Sequence, residues 1–119
     1  MAIANVADYL SQVKACIETL GGSFDYTLPA ELNRAMYHLL KDATKALQSA
    51  ISLAIQKINA DYPFDGTMIN IPTLWIPNQL SIDADFIDKL NENLDAVNKA
   101  IAGMQNVKDS ELSISELYN

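Results

Sequence analysis

The sequence has almost none of the residues that most catalytic and metal sites require. It holds one cysteine, Cys16, and one histidine, His38. A structural zinc site takes four Cys, His or acidic ligands, and a Ser-His-Asp or Cys-His arrangement would have to use the single histidine. No spacing around His38 is typical of such a site. We therefore expect no catalytic residue, no metal site, no cofactor and no enzymatic activity.

A single cysteine also excludes an internal disulfide. Cys16 falls on a helical pattern, where a free cysteine usually packs as a small apolar residue. A chain without disulfides fits a reducing compartment. Residues 1–10 lack the basic region that begins a secretory signal, and they carry Asp8. We expect a cytoplasmic protein, or one inside an assembled particle, that is not secreted by a signal peptide.

Basic residues are scarce, with 8 Lys+Arg against 15 Asp+Glu and a net charge of −7. Binding to nucleic acid or to an anionic membrane needs a basic patch. No apolar run reaches the ~18–20 residues of a membrane span. We therefore expect neither direct nucleic-acid binding nor a membrane partner. Residues 81–119 hold eight of the acids and three lysines, which we interpret as a solvated face.

Glycine and proline are also scarce, at four each, and this favours an all-α protein over an all-β one. We expect one helical domain over residues 1–119. The pattern predicts a first helix over 3–20, because apolar residues recur every three or four positions. Gly21-Gly22 ends that helix. The short link after the glycines predicts an antiparallel hairpin with the second helix.

A third helix is predicted over 83–105, again from apolar residues at three- and four-residue spacing. Ser81 or Asp83 can cap its first turn, and Asp83, Asp85 and Asp88 favour the positive end of the helix dipole. We expect these three carboxylates to face solvent and to bind no metal. The C-terminal tail 106–119 is predicted to form a short last helix or a docked arm.

The second helix is predicted over 28–60, with Thr27 as its cap and Pro29 in its first turn. It is the long central helix of the predicted three-helix bundle. We expect residues of all three helices to form the core: Leu10, Val13, Ile17, Leu39, Leu47, Ala50, Leu90, Leu94, Val97 and Ile101.

The central helix has no charge between Ala46 and Gln56, and apolar residues cover most of its circumference. Such a helix is enclosed by several neighbours. Two other helices leave one side of it uncovered, so we predict a self-association surface in which Ile51 and Ile55 point outward. The predicted interaction surface consists of Ala46, Ala50, Ile51, Ala54, Ile55, Ile58, Leu74, Trp75 and Ile76.

Residues 62–82 are rich in both proline and apolar side chains, and three prolines forbid a long helix there. Two interpretations fit this apolar, Pro-rich crossover loop. It can be a strap laid over the bundle, with Trp75 filling a groove. It can also be an arm that contacts a partner, with Trp75 as the anchor, because tryptophan is enriched at interface hot spots.

These patterns favour a non-enzymatic helical module for protein–protein interaction or assembly. We expect it to be a homo-oligomer and a structural component of a larger particle of the virion type. The alternative is a small acidic inhibitor or sequestering protein that binds a host protein, or a small ligand at an oligomer interface. A small-molecule ligand therefore stays open.

Overall fold

Three helices account for most of the molecule: α1 (Val6–Thr19), α2 (Arg34–Asp61) and α3 (Ala84–Tyr118). The computed structural model describes residues 5–31, 33–61, 69–78 and 83–118, the last nine through their backbone alone. The three helices pack against one another in a rod of 58 × 25 × 21 Å. No strand occurs in the described ranges. The predicted all-α class and the three packed helices are thus confirmed.

Polar side chains cap the beginning of each helix, because the first-turn N–H groups have no partner within the helix. Asn5 Oδ1 accepts from Asp8 N at 2.9 Å, and Asn33 Oδ1 accepts from Ala35 N at 3.0 Å. Asp83 Oδ1 accepts from Phe86 N at 2.9 Å, so Asp83 is the cap of the two that the sequence allows, and Ser81 lies outside the described residues.

The prediction that the second helix begins at residue 28 is wrong, because α2 begins at Arg34. Thr27 and Pro29 precede the helix and are not part of it. Asn33 supplies the cap instead, six residues further along. The segment before it is held to α1, where Lys14 Nζ donates to Phe24 O at 2.7 Å.

Contacts at two levels along the rod set the relative direction of α1 and α2. At the first level, the hydroxyls of Tyr9 and Thr44 are 2.6 Å apart. At the second level, Leu20 and Ile58 line one cleft between the helices. Residue numbers rise in the same sense along both helices, so α1 and α2 run in the same direction.

The third helix has the same direction. Asn93 Nδ2 lies 3.4 Å from Tyr9 Oη. Eleven residues later, Met104 lines the cleft with Leu20, which follows Tyr9 by the same interval. All three helices therefore run the same way along the rod.

The predicted antiparallel hairpin of the first two helices is therefore wrong. The 14 residues of α1 span ~21 Å, and the connection 20–33 is long enough, at up to ~46 Å, to run back beside the helix. The ammonium of Lys14 contacts Phe24 O and the Asp25 carboxylate, which shows the chain doubling back. The turn begins at Gly21, whose φ of 90° suits glycine.

The helices share one apolar core. Of the ten predicted core residues, seven are buried: Leu10, Val13, Ile17, Leu47, Leu90, Leu94 and Val97. Leu39, Ala50 and Ile101 are only half-buried at its margin. The three- and four-residue spacing of apolar side chains thus identifies the buried stripe of each helix. The residues predicted wrongly lie at the edges of these stripes.

α3 continues well beyond its predicted end at residue 105. Gly103 does not interrupt it, and the tail 106–118 is a direct continuation of the helix rather than a separate element. A glycine costs a helix only about 1 kcal/mol relative to alanine. Gly103 lies beside Ile69, whose Cδ1 would be 3.9 Å from an added Cβ.

Candidate interaction surface

We define the strap as residues 69–78, a segment with neither helix nor strand that lies against α2 and α3. Two carboxamides of α2 bind its backbone. Asn59 donates to Ile69 O and accepts from Ile69 N, both at 3.0 Å. Gln48 donates to Pro72 O at 2.9 Å and accepts from Leu74 N at 2.7 Å. Each of these side-chain amides therefore donates to and accepts from the strap backbone, as the backbone of a neighbouring strand does in a sheet.

A third carboxamide, Asn93 of α3, fixes the strap at Trp75. Its Nδ2 donates to Trp75 O and its Oδ1 accepts from Trp75 N, both at 2.8 Å. The indole packs edge-on against Phe86, with ring centroids 5.2 Å apart, and Lys89 Nζ lies 5.6 Å from its centroid. Trp75 therefore packs within its own chain. The rest of the predicted segment, 62–68 and 79–82, lies outside the described residues.

Asn93 also begins a chain of hydrogen bonds through the core. Its amide donates to Tyr9 Oη at 3.4 Å. Thr44 Oγ1 donates to Leu40 O at 2.9 Å, so its remaining capacity is as acceptor for the Tyr9 hydroxyl at 2.6 Å. Burial raises the pKa of the Tyr9 phenol, and the hydrogen bond from Asn93 opposes that rise without cancelling it. This chain joins all three helices.

Replacing Tyr9 with phenylalanine removes the middle of that chain. Thr44 and Asn93 keep their bonds to Leu40 O and Trp75, so we expect a loss of about 0.5–1.5 kcal/mol at neutral pH. A raised pKa in the folded state contributes stability that is complete below the unfolded value of about 10 and is lost as pH rises through the folded pKa. The free energies of unfolding of the wild type and of Tyr9→Phe, measured with urea, should therefore become more similar as pH rises from ~8 to ~11. A constant difference would contradict the buried neutral phenol.

The nine predicted surface residues divide into two groups. Ile51 and Ile55 are fully buried, and Ile58 and Leu74 are 6% and 5% exposed. The other five are half-buried: Ala46, Ala50, Ala54, Trp75 and Ile76. The prediction that Ile51 and Ile55 point outward is wrong, because α1 and α3 both pack on the side of α2 that carries them.

We define the outer face of α2 as the exposed stripe Lys45, Ser49, Leu53, Gln56 and Ala60. Leu53 is 67% exposed, the largest value among the described large apolar residues. No charged residue occurs between Lys45 and Lys57. Sequence reasoning missed Leu53 as the outward residue. Its position four after Ser49 and three before Gln56, on the polar stripe, is the signal that identifies it.

Cys16 and His38 are the two residues that a Cys-His catalytic arrangement would have to use. Burial raises the pKa of the Cys16 thiol, which disfavours the reactive thiolate. Its Sγ lies 3.9 Å from Asn98 Oδ1, whereas the exposed His38 ring packs 5.3 Å from that of Tyr37. In the part of the chain that the structure describes, no three potential ligands cluster as a metal site would require.

Comparison with known proteins adds no family. The chain matches no protein-family model, no curated protein and no solved structure. Among the described helices, none is long and apolar enough to cross a membrane.

Proposed function

We propose that this chain is a non-enzymatic helical assembly module that self-associates through the outer face of α2 and the adjoining strap. The observation that carries this proposal is Leu53, a leucine 67% exposed in the middle of an uncharged stretch of a chain with net charge −7. We place it as a structural component of a larger particle of the virion type, inside the cell or within that particle.

The area of the surface determines which elements take part. A stable interface buries about 800 Å² on each partner. The outer face of α2 covers ~16 residues, or ~24 Å, at a helix diameter of about 10 Å, which is too small by itself. Gln48 and Asn59 hold the strap beside this face, and the strap adds Ile71, 40% exposed, and the half-buried Ile76. We therefore include the strap in the interface.

The surface is also held in one conformation. The three carboxamide pairs fix the strap backbone at Ile69, Leu74 and Trp75. Small residues on and beside the outer face, including Ala46 and Ser49, let a second helix approach closely. A surface that is ordered before binding loses little conformational entropy on association.

The test replaces Leu53 with glutamate. A carboxylate at the centre of an apolar contact is desolvated without a partner, so we expect the dissociation constant to rise by about 30-fold or more. Ala102→Glu is the matched control, because Ala102 is an exposed helix position on α3. Light scattering at matched concentrations should show the control keeping the wild-type mass and Leu53→Glu moving to 13.1 kDa. Equal masses for the two variants would refute this interface.

A second candidate function rests on an acidic stripe of α3. Asp85, Asp88, Glu92 and Asp95 are all exposed at three- and four-residue spacing, so they share one face. Such a face suits an acidic inhibitor or sequestering protein that binds a basic host protein. Salt separates the two candidates, since an acidic interface weakens steeply as salt rises and an apolar one does not.

A further inference from the structure

A cleft of about 470 Å³ opens between the three helices at the level of Leu20, Ile58 and Met104. Each helical segment contributes an apolar residue to its wall: Leu20 just after α1, Ile58 of α2 and Met104 of α3. Ile58 and Met104 are buried, and Leu20 is half-buried. Small-molecule sites occupy ~300–1,000 Å³ and are mostly apolar with a few polar groups. The cleft has this size, and its lining is divided equally between five apolar and five polar or charged residues.

Its rim carries more positive than negative charge. Lys57 and Lys108 line the cleft with a single carboxylate, Asp61. Both lysines are exposed, and the ion pairs found among the described side chains belong to Lys14 instead. Asp61 follows Lys57 by four residues, the spacing of a helical ion pair, yet the two do not pair. The two lysines and Asp61 give the rim a net charge of +1, in a chain whose net charge is −7.

A simpler role for the lysines is to complement the negative end of the α2 dipole. That role concerns only the helix end at Asp61. It does not account for Lys108, which comes from α3, or for the apolar wall that both lysines adjoin. The dipole role predicts a change in stability on lysine replacement, whereas a ligand site predicts a change in binding.

We propose that this cleft binds a small amphiphile with one alkyl chain and one carboxylate. The alkyl chain packs on Leu20, Ile58 and Met104, and the carboxylate accepts hydrogen bonds from Lys57 and Lys108. None of the five outer-face residues lines the cleft, although Lys57 follows Leu53 by four residues and lies on the same side of α2. The proposal therefore does not require self-association.

The test titrates the full chain with sodium decanoate, kept below its micellar concentration, by isothermal calorimetry. Replacing both rim lysines with glutamine should weaken binding by about tenfold or more, since hydrogen bonds to charged groups are lost. Arg34→Gln with Lys99→Gln is the matched control, because both residues are exposed, carry the same charge and lie outside the cleft and the outer face. In methyl NMR spectra, decanoate should shift the signals of Leu20, Ile58 and Met104 and leave that of Met36, near the beginning of α2, unchanged.

Two further ligands and a lipid vesicle test which chemical class of ligand the cleft binds. Decanol and decyltrimethylammonium should bind at least about tenfold more weakly than decanoate. Vesicles of phosphatidylglycerol should not retain the protein. The proposal is overturned if decanoate does not bind, if it binds equally to the rim and control variants, or if the neutral or cationic chain binds as well. Retention by vesicles that depends on the rim lysines would overturn it in favour of a lipid headgroup.

Discussion

Replacing Ile55 with glutamate should unfold the chain. Ile55 is fully buried in the core on α2. A carboxylate placed there loses its hydration and gains no partner, and replacements of this kind fall in the tail above ~4–5 kcal/mol. The total stability of a domain is about 5–15 kcal/mol. Far-UV circular dichroism at neutral pH should therefore show the loss of most of the helical signal.

Leu53→Glu is the control for this prediction, because it makes the same chemical change two residues earlier at a position 67% exposed. It should keep the helical signal of the wild type. Ile55→Val is a smaller change at the same site, and we expect it to lower the free energy of unfolding by about 0.5–1.5 kcal/mol. A folded Ile55→Glu protein, with urea stability near that of Leu53→Glu, would show that Ile55 is not enclosed by α1 and α3.

Replacing Asn93 with leucine should lower the free energy of unfolding by roughly 2–5 kcal/mol. The change leaves Trp75 N and Trp75 O without their partners and removes the link to Tyr9. Each buried polar group left unpaired costs about 1–3 kcal/mol. Trp75 is the only tryptophan, so its fluorescence reports the strap directly. We expect a red shift of its emission and greater access to a quencher such as acrylamide, because the strap separates from α3.

Asn106→Leu is the control for Asn93→Leu, since Asn106 is an exposed asparagine on the same helix. It should change neither the urea midpoint nor the emission maximum by a measurable amount. An Asn93→Leu protein within ~0.5 kcal/mol of this control, with unchanged tryptophan emission, would mean that the carboxamide does not hold the strap.

Helical periodicity was enough to predict the class of fold and most of the core. Val13 and Leu94 are buried because apolar residues spaced at three and four positions share one face of a helix. The same spacing does not report the direction of a helix. An apolar stripe on α1 fits a parallel neighbour as well as an antiparallel one. The direction depends on the connection 20–33, whose return along α1 is set by contacts such as that of Lys14 with Phe24.

The beginning of α2 shows a competition between local signals. Thr27 with Pro29 is a cap pattern, and so is Asn33. In the structure the cap of α2 is Asn33, because its Oδ1 accepts a hydrogen bond from Ala35 N. Phe24 and Tyr26 pack against the core, which holds the preceding segment outside the helix. Packing of that kind is not visible in a local pattern.

The outward side of α2 was misjudged for a related reason. With Ala46, Ala50 and Ala54 beside Ile51 and Ile55, the stretch has no single apolar stripe. Its buried side depends on where α1 and α3 lie. The sequence also does not predict that three carboxamides bind the strap, because an asparagine or glutamine on a helix is ordinarily a solvated residue.

Sedimentation equilibrium of the unmodified chain tests the proposed assembly most directly. The protein should be measured from low to high micromolar concentration, at low and at high salt. The account predicts a mass that rises above 13.1 kDa to a whole-number multiple of it, with little dependence on salt because the contact is apolar. A mass of 13.1 kDa at every concentration would contradict self-association through the outer face of α2.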